Sequence, residues 1–308
     1  MGTSEFGVPT LNQIANNFNL LAIVTNYDKP SGRGLKIRNS AVKKYAIRKD
    51  IELLQPKNLK DPNFVEKIKK FKPDFIIVVA FRMLPKVIWS IPYLGTINLH
   101  ASLLPNYRGA APINWALING EKYTGVTTFF IDDKIDTGDI LLQKRIKINK
   151  TDNAEDLHNS LSKIGSLLIN ETINGVVNNS IKSSKQEPNK SYKTAYKLNK
   201  YNIKINWKSK AIDIYNKIRG LSPYPGARTT IIDSNDNTKK NIIIYDSEYK
   251  LINNKLNPGH IIISKNDFKI NCIDGYILLI DIKIEGKKRM KIKSFLNGFN
   301  INNHLTAE

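Results

Sequence analysis

Short apolar runs alternate with helical patterns along the first half of the chain. Five runs between residues 19 and 146 have the length and the apolar content of buried strands. Phe64, Ile68 and Phe71 recur at helical spacing between two of these runs. Alternation of this kind is typical of an α/β domain with a largely parallel sheet. The predicted strands cover residues 20–25, 75–80, 96–100, 126–131 and 140–146.

The pattern changes after residue 150. A longer helix is predicted after Thr151, with Leu157, Leu161 and Leu168 on one face together with Ile164. The next stretch is polar and lysine-rich with little periodicity, which indicates a linker. A helix over 209–219 then precedes five short predicted strands separated by turn residues, a spacing that favours a small β-barrel. Those strands cover 227–232, 242–246, 260–263, 268–272 and 276–284.

These patterns together predict two domains. We expect an α/β fold class, in which a Rossmann-like, mostly parallel sheet domain is followed by a small OB-like β-barrel domain. A length of 308 residues agrees with two domains rather than one. The predicted boundaries are 1–180 for the first domain, 181–202 for the linker and 203–308 for the barrel.

Composition narrows the class of protein. Cys272 is the single cysteine, which excludes a disulfide framework and any cysteine-rich metal site. No apolar run approaches the roughly 18 residues of a membrane span, and the first residues lack the features of a signal peptide. We therefore expect a cytoplasmic protein without a membrane partner.

The net charge of +21 favours contact with a polyanion such as nucleic acid. The composition is rich in lysine, asparagine and isoleucine, and such a compositional bias also raises the net charge, whatever the function.

Three polar residues suggest chemistry. Asn98 and His100 are two apart on a predicted strand, so their side chains face the same way near the strand's carboxyl end, where open α/β sheets bind ligands. Asp136 follows in a later loop. An amide can stabilise an oxyanion, an imidazole can move a proton and a carboxylate can orient the imidazole. Acyl-type transfer requires these three roles. Spacing alone leaves plainer interpretations open: a structural histidine, a turn-forming aspartate and a capping asparagine.

Four ordered motifs lie around these residues. They read NLHASLLP at 98–105, RGAAPI at 108–113, TGVT at 124–127 and DTGD at 136–139. In this order and spacing they resemble the formyltransferases that use 10-formyltetrahydrofolate. The resemblance implies that Asn98, His100 and Asp136 form the catalytic set, that 10-formyltetrahydrofolate is the formyl donor and that no metal is required.

The same resemblance implies a donor pocket and an acceptor. The folate pocket is expected after the second predicted strand and beside the loop 131–136, largely through backbone groups. Its expected residues are Phe81, Arg82, Met83, Leu84, Ser102, Leu103, Leu104, Pro105 and Asp133. The rest of the chain resembles the branch of the family that acts on methionyl-tRNA, notably at 28–36, 196–200, 205–207, 219–227, 286–290 and 295–298. The residues expected to contact tRNA are Arg33, Lys36, Lys287, Lys288 and Arg289.

The implied reaction starts when the methionyl α-amine of initiator tRNA attacks the formyl carbon. Asn98 would donate a hydrogen bond to the tetrahedral oxyanion, His100 would stabilise that charge and shuttle a proton, and Asp136 would hold the imidazole. The expected partners are methionyl-tRNA and the folate donor, and the expected oligomeric state is a monomer.

Two other functions stay open at this point. A sugar-nucleotide amine formyltransferase would share the catalytic domain, although the basic loop around Arg33 and the charged barrel argue against it. A tRNA-binding protein with impaired catalysis is the alternative from a different class. The family pattern also implies a central strand directly ahead of the turn 2–6. We therefore expect that Met1 is an internal methionine, because a missing inner strand would leave backbone groups unpaired.

Overall fold

The computed structural model describes residues 1–28, 30–31, 36–37, 39–187, 191–252, 257–297 and 304–308. The chain divides into two compact units, each built from several segments. Unit 1 comprises Met1–Gly109, Tyr123–Lys147 and His158–Thr194. Unit 2 comprises Ala110–Lys122, Ile148–Leu157 and Ala195–Glu308.

Helices occur along the whole described chain. A 3₁₀ turn, Glu5–Gly7, precedes the first of them. The α-helices are α1 Val8–Asn17, α2 Ala41–Arg48, α3 Pro62–Lys70, α4 Lys86–Trp89, α5 Pro112–Ile118, α6 Ala154–Val177, α7 Ala211–Leu221 and α8 Ile292–Leu296.

Strands are short in the first part of the chain and longer in the last third. The first ten are β1 Ile23–Val24, β2 Pro30–Ser31, β3 Lys36–Ile37, β4 Leu53–Leu54, β5 Ile76–Val79, β6 Thr96–His100, β7 Arg108–Gly109, β8 Tyr123–Phe130, β9 Ile140–Lys147 and β10 Thr194–Ala195. The remaining seven are β11 Ala227–Asp233, β12 Lys239–Leu251, β13 Ile261–Ile263, β14 Phe268–Cys272, β15 Gly275–Ile284, β16 Met290–Lys291 and β17 Leu305–Ala307.

Unit 1 contains a four-stranded sheet in the order β5-β6-β8-β9. β5 and β6 are parallel, whereas β8 and β9 extend the sheet in antiparallel orientation. β1 and β4 form a separate parallel pair. Ile97 and Phe129 are buried in this sheet, and helix α3 packs Phe64 and Ile68 into a core cluster with Ile76. Helices combined with parallel strand pairs confirm the predicted α/β class.

The apolar pattern predicts β6 better than β1. β6 covers the predicted 96–100, and it pairs with a strand on each side. β1 has only two of the six residues predicted over 20–25. Its recorded partner in the described chain is β4, which pairs with Ile23 and Val24. Extended backbone becomes a strand only where a neighbour supplies hydrogen bonds, so β1 ends where that pairing ends.

Unit 2 is dominated by an antiparallel sheet in the order β13-β14-β15-β12-β11-β17, with β16 beside β15. A bridge between His260 and Thr306 joins the two ends of this order, so the sheet nearly closes on itself. Helix α7 packs Ile214, Ile218 and Leu221 into the same core cluster as the buried strand residues. The predicted barrel is therefore confirmed. In the described residues, no helix combines the length and the apolarity needed to cross a membrane.

Candidate active site

β6 places two of the predicted catalytic residues on one face of the unit 1 sheet. Asn98 and His100 are two positions apart, and β-strand side chains two apart point to the same side. Asn98 lies opposite Val78 of β5 and Phe129 of β8 in the ladder, and it is half-buried. His100 is the last residue of the strand and is only 6% exposed. An interior strand therefore holds both side chains on rigid backbone.

The His100 ring lies between two acceptors. Its Nε2 atom lies 2.8 Å from the carbonyl oxygen of Tyr107. A carbonyl can only accept, so Nε2 carries a hydrogen atom and donates it to Tyr107. The other ring nitrogen, Nδ1, lies 3.7 Å from Oδ2 of Asp136. This distance is too long for a hydrogen bond and short enough for an electrostatic contact. Nδ1 is thus the ring nitrogen that remains available for proton exchange.

Asp136 is held in an uncommon backbone conformation. Its φ angle is +56°, a left-handed value that aspartate tolerates better than most residues. Its side chain is 14% exposed, and Oδ2 accepts a 2.8 Å hydrogen bond from the backbone N–H of Gly109. Tyr107 also has a positive φ, +63°, which is unusual for a bulky residue. Asp136 and Tyr107, the two residues with positive φ, both lie next to His100. Backbone strain of this kind tends to cluster at functional sites.

A glutamine outside all the predicted site residues fastens the Asp136 loop. Gln186 Nε2 donates to the carbonyl oxygens of Asp136, at 3.1 Å, and Gly138, at 2.7 Å. Its Oε1 atom accepts from Nε and Nη2 of Arg108, at 3.1 and 2.6 Å. Gln186 therefore ties the loop that carries Asp136 to the segment that carries Tyr107. It lies in the stretch predicted as a linker, where the sequence pattern contains no signal that could have identified it.

The loop after His100 is fixed by buried hydrogen bonds. Ser102 is fully buried, and its hydroxyl donates to the carbonyl oxygen of Asn106 at 2.7 Å. The Thr127 hydroxyl donates to the carbonyl of Ser102 at 2.6 Å and accepts from the backbone N–H of Leu104 at 3.1 Å. Gln143 donates to the carbonyl of Leu104 at 2.8 Å. The side chains of Ser102 and Leu104 thus point into the protein.

The other predicted folate residues have different environments. The guanidinium of Arg82 donates to the carbonyl oxygens of Pro56, at 2.5 Å, and Lys57, at 2.9 Å. Leu84 is buried in a core cluster against which Phe81 and Ile131 pack. The apolar side chain of Met83 is 65% exposed, and Asp133 is also exposed. Met83 is therefore available to a ligand, whereas Arg82 and Leu84 fix the shape of their segment.

The predicted tRNA contacts are divided between described and undescribed residues. Arg33 and the side chain of Lys36 lie outside the described residues. Lys287 and Lys288 are exposed in unit 2 on the turn that follows Gly286. Arg289 makes a bidentate pair with the buried Asp281, at 3.0 and 3.1 Å. These hydrogen bonds raise the pKa of the Arg289 guanidinium. Arg289 thus has a structural partner that the two lysines lack among the recorded contacts.

No cluster of three or more histidine, cysteine, aspartate or glutamate side chains suitable for a metal ion is found in the part of the chain that the structure describes. The three predicted catalytic side chains are an amide, an imidazole and a carboxylate, of which the imidazole of His100 contacts a backbone carbonyl and the carboxylate of Asp136 accepts from a backbone N–H. This donor set suits hydrogen bonding to a developing oxyanion and transfer of a proton.

Family models cover most of the sequence. The model described as formyl transferase matches residues 2–173, and the model described as formyl transferase, C-terminal domain, matches residues 197–300. A methionyl-tRNA formyltransferase of Flavobacterium johnsoniae is 50% identical over 97% of this chain and 94% of the relative. One from Clostridium tetani is 44% identical over 100% of this chain and 98% of the relative.

Solved structures of similar fold are more distant in sequence. A sugar 3N-formyl transferase, crystallised with dTDP and 5-N-formyl-THF, superposes with a TM-score of 0.65 at 24% identity, over 93% of this chain and 97% of the other. An N-formyltransferase from Helicobacter canadensis gives the same TM-score and identity over 90% and 96% of the two chains. At this identity the likeness extends to the fold alone.

Proposed function

This chain belongs to the formyl transferase family, and on that premise we propose that it transfers the formyl group of 10-formyltetrahydrofolate to the α-amine of methionyl-tRNA. The observation that carries the proposal is that Asn98 and His100 share one face of β6 while Asp136 lies 3.7 Å from His100, in a chain of which 97% aligns with a methionyl-tRNA formyltransferase. The product would be the formylated initiator tRNA used in translation initiation.

Each polar group of the site has a part in the proposed reaction. The amine attacks the formyl carbon and forms a tetrahedral intermediate whose oxygen is negatively charged. The Asn98 side chain donates a hydrogen bond to that oxygen, which stabilises the transition state more than the substrate. Collapse of the intermediate expels the folate nitrogen, which must gain a proton, while the attacking amine must lose one.

His100 is the proposed proton carrier. Its Nε2–H is committed to the carbonyl of Tyr107, which fixes the ring orientation. Nδ1 then exchanges the proton, and Asp136 stabilises the charged imidazole across the 3.7 Å separation. The N–H of Gly109 holds the carboxylate in place. Apo sites often show such contacts at longer distances than the reacting complex does.

Donor and acceptor recognition are proposed for separate parts of the chain. The folate donor would lie against the segment Phe81–Leu84, the loop Ser102–Pro105 and Asp133, where exposed Met83 supplies apolar surface. The tRNA would contact Arg33, Lys36, Lys287, Lys288 and Arg289, whose positive charge matches phosphate. On this proposal, residues 1–180 are the catalytic domain, residues 181–202 are a linker and residues 203–308 are a tRNA-contacting barrel.

The test compares two acceptors with the same purified protein. Formyl transfer from 10-formyltetrahydrofolate is measured with methionyl-tRNA and with an amino-sugar nucleotide. We expect turnover on methionyl-tRNA. Turnover on the sugar alone would assign the protein to sugar modification, and tRNA binding without any turnover would leave it a tRNA-binding protein.

Two substitutions test the catalytic assignment. Asn98→Ala should lower kcat about 10²- to 10³-fold, the usual loss of one oxyanion donor. His100→Ala should lower it about 10²- to 10⁴-fold, the usual contribution of a general acid–base group. His304→Ala, which changes an exposed histidine in the other unit, is the matched control and should leave kcat unchanged. Equal activities in His100→Ala and the control would remove His100 from the mechanism.

A further inference from the structure

The face of the unit 1 sheet that carries Asn98 and His100 extends past these two residues onto β8 and β9. Thr127 of β8 lies opposite His100, and Gln143 of β9 lies opposite Thr127. Residues that pair across antiparallel strands point to the same side of the sheet. Side chains two and four positions away from Thr127 and Gln143 on their own strands therefore share the face of the catalytic residues.

Three exposed residues lie where this face reaches the edge of the sheet. Tyr123 pairs with Lys147, and Gly125 pairs with Arg145. Tyr123 is 46% exposed, and Arg145 and Lys147 are exposed as well. β8 runs antiparallel to β6, so its first residue, Tyr123, lies beyond the carboxyl end of β6. That is the edge at which open α/β sheets bind their ligands.

The distance from these exposed residues to the catalytic residues is short. Tyr123 is four positions from Thr127, which corresponds to about 13 Å along the strand. The loop that follows His100 packs on the sheet between them, since a Cβ atom at Gly125 would lie only 2.5 Å from Cδ2 of Leu103. An extended ligand that reacts at His100 would therefore reach Tyr123 within a few monomer units.

Arg145 and Tyr123 form a stacked pair. The Cζ atom of the Arg145 guanidinium lies 3.9 Å from the centre of the Tyr123 ring. The negative face of the ring attracts the guanidinium and restricts its orientation. Both groups are planar, and nucleotide bases stack on aromatic rings and on guanidinium planes alike. A stacked guanidinium also keeps its N–H donors at the rim, where they can bind phosphate oxygens.

The charge of β9 is positive. The strand contains three basic residues, Lys144, Arg145 and Lys147, and no acidic residue. None of the three belongs to an ion pair with another described residue. Arg145 and Lys147 lie on the catalytic face, whereas Lys144 pairs with the buried Val126 and points to the opposite face. Positive charge beside planar groups is the surface that single-stranded nucleic acid requires.

We propose that Tyr123, Arg145 and Lys147 bind the single-stranded 3′ end of the tRNA substrate. A base would stack on the Tyr123–Arg145 pair, and Arg145 and Lys147 would contact the adjoining phosphates. The inference rests on the proposed transfer to methionyl-tRNA and adds a contact surface on the catalytic sheet itself. By holding the nucleotides next to the aminoacyl group, this surface would deliver the methionyl amine to Asn98 and His100.

Arg145→Gln and Lys144→Gln are a matched pair of variants. Both remove one positive charge from neighbouring exposed positions of β9, but only Arg145→Gln changes the catalytic face. Basic residues on an outer strand also prevent pairing with other chains, a role that both residues could fill equally. Binding of uncharged initiator tRNA is measured by fluorescence anisotropy over a range of salt concentrations.

Arg145→Gln should weaken this binding about 5- to 10-fold at low salt and reduce the slope of log K against log salt by about 0.7, the value for one phosphate of a single strand. Lys144→Gln should change the affinity by no more than about twofold, because its charge lies on the other face. Equal effects of the two substitutions would overturn the proposal.

A shortened tRNA locates the contact on the ligand. The second RNA is the same tRNA without its single-stranded 3′ end. Tyr123→Leu removes the ring and should weaken binding of the intact tRNA about 5- to 10-fold, and Arg145→Lys, which keeps the charge but not the plane, should weaken it about threefold. Neither variant should change binding of the shortened tRNA. The same loss with both RNAs, or no loss with the intact tRNA, would contradict the assigned contact.

Binding and turnover separate this inference from the proposed function. The binding measurements require no formyl transfer, so they test the surface even if the protein does not formylate methionyl-tRNA. In the transfer assay, Arg145→Gln should raise the KM for methionyl-tRNA about 5- to 10-fold and leave kcat and the KM for the donor within about twofold. A lower kcat with an unchanged KM for tRNA would refute a role in binding the 3′ end.

Discussion

Gln186 offers the sharpest test of how the active site is held together. It makes four hydrogen bonds, two to carbonyl oxygens of the Asp136 loop and two from the guanidinium of Arg108. It contacts neither Asn98 nor His100 in the recorded bonds, so its effect on catalysis must act through Asp136. Gln186→Met removes all four bonds while keeping the length of the side chain.

The expected magnitude follows from the kinds of bond that are lost. Each bond to a carbonyl is worth about 1 kcal/mol, and each bond from the charged guanidinium about 1.5–3 kcal/mol. Gln186 and Arg108 are both half-buried, so hydrogen bonds to water compensate for much of what is lost. We therefore expect a net loss of about 2 kcal/mol in the free energy that stabilises this contact. If the whole loss destabilises the conformation in which the loop holds Asp136 beside His100, that conformation becomes about 30-fold less populated. The value of kcat should therefore fall about 10- to 30-fold.

The assay is formyl transfer to methionyl-tRNA under saturating donor, with Tm measured on the same samples. The KM for tRNA should stay within twofold of the starting protein, and Tm should fall by no more than a few degrees, because the loss is local. Gln55→Met is the matched control: Gln55 is another half-buried glutamine of unit 1, which donates to the carbonyl of Asn26 and to Asp28. It should leave kcat unchanged.

A double-mutant cycle decides whether Gln186 acts through Asp136. Asp136→Asn removes the carboxylate and keeps a residue that tolerates a positive φ. If the mechanism is correct, Gln186→Met should cost little further activity in that background, so the two effects should be clearly less than additive. Full additivity, or a kcat for Gln186→Met within twofold of the starting protein, would refute the argument.

Three further predictions concern other parts of the molecule. Arg289→Ala removes both hydrogen bonds from the guanidinium to the buried carboxylate of Asp281 and leaves it the ion pair with the exposed Lys291, at 3.3 Å, so it should lower stability by about 1–2 kcal/mol in thermal unfolding, whereas Lys288→Ala should change it by less than about 0.5 kcal/mol. Gly138→Ala would place a Cβ atom 1.7 Å from a carbonyl oxygen at the end of β8, so it should displace the catalytic loop and lower kcat at least tenfold in the transfer assay. Burial raises the pKa of Cys272 to about 11 from 9.0, so the free energy of unfolding should fall as pH rises from 9 to 11, and iodoacetamide at pH 8 should label the folded thiol about 100-fold more slowly than an unfolded one.

The sequence pattern predicts the catalytic strand because two independent signals agree there. The apolar residues Ile97 and Leu99 alternate with Asn98 and His100, so one run specifies both a buried face and a polar face. β6 pairs with β5 on one side and β8 on the other, so hydrogen bonds from two neighbouring strands support its extended conformation. The barrel is predictable for a similar reason, since its strands alternate and are separated by turn residues.

Contacts that join distant parts of the chain are not visible in such a pattern. Gln186 is 78 positions from Arg108 and 50 from Asp136, in a stretch without periodicity. The carbonyl of Tyr107 orients His100, yet every residue has a carbonyl, so side-chain identity contains no sign of it. The basic turn that includes Arg289 is visible in the sequence, but its pairing with Asp281 depends on how β15 and the following turn are placed. These features require the fold before they can be recognised.

The distinction between local sequence pattern and contacts with distant residues also explains why β6 has its predicted length and β1 does not. Both runs have the apolar content of a buried strand, and both lie in the same α/β unit. β6 realises its full predicted length, whereas β1 ends after two residues beside a cleft of about 710 Å³. Propensity is therefore sufficient to place extended backbone in the core, but the length of a strand is set by the neighbour with which it pairs.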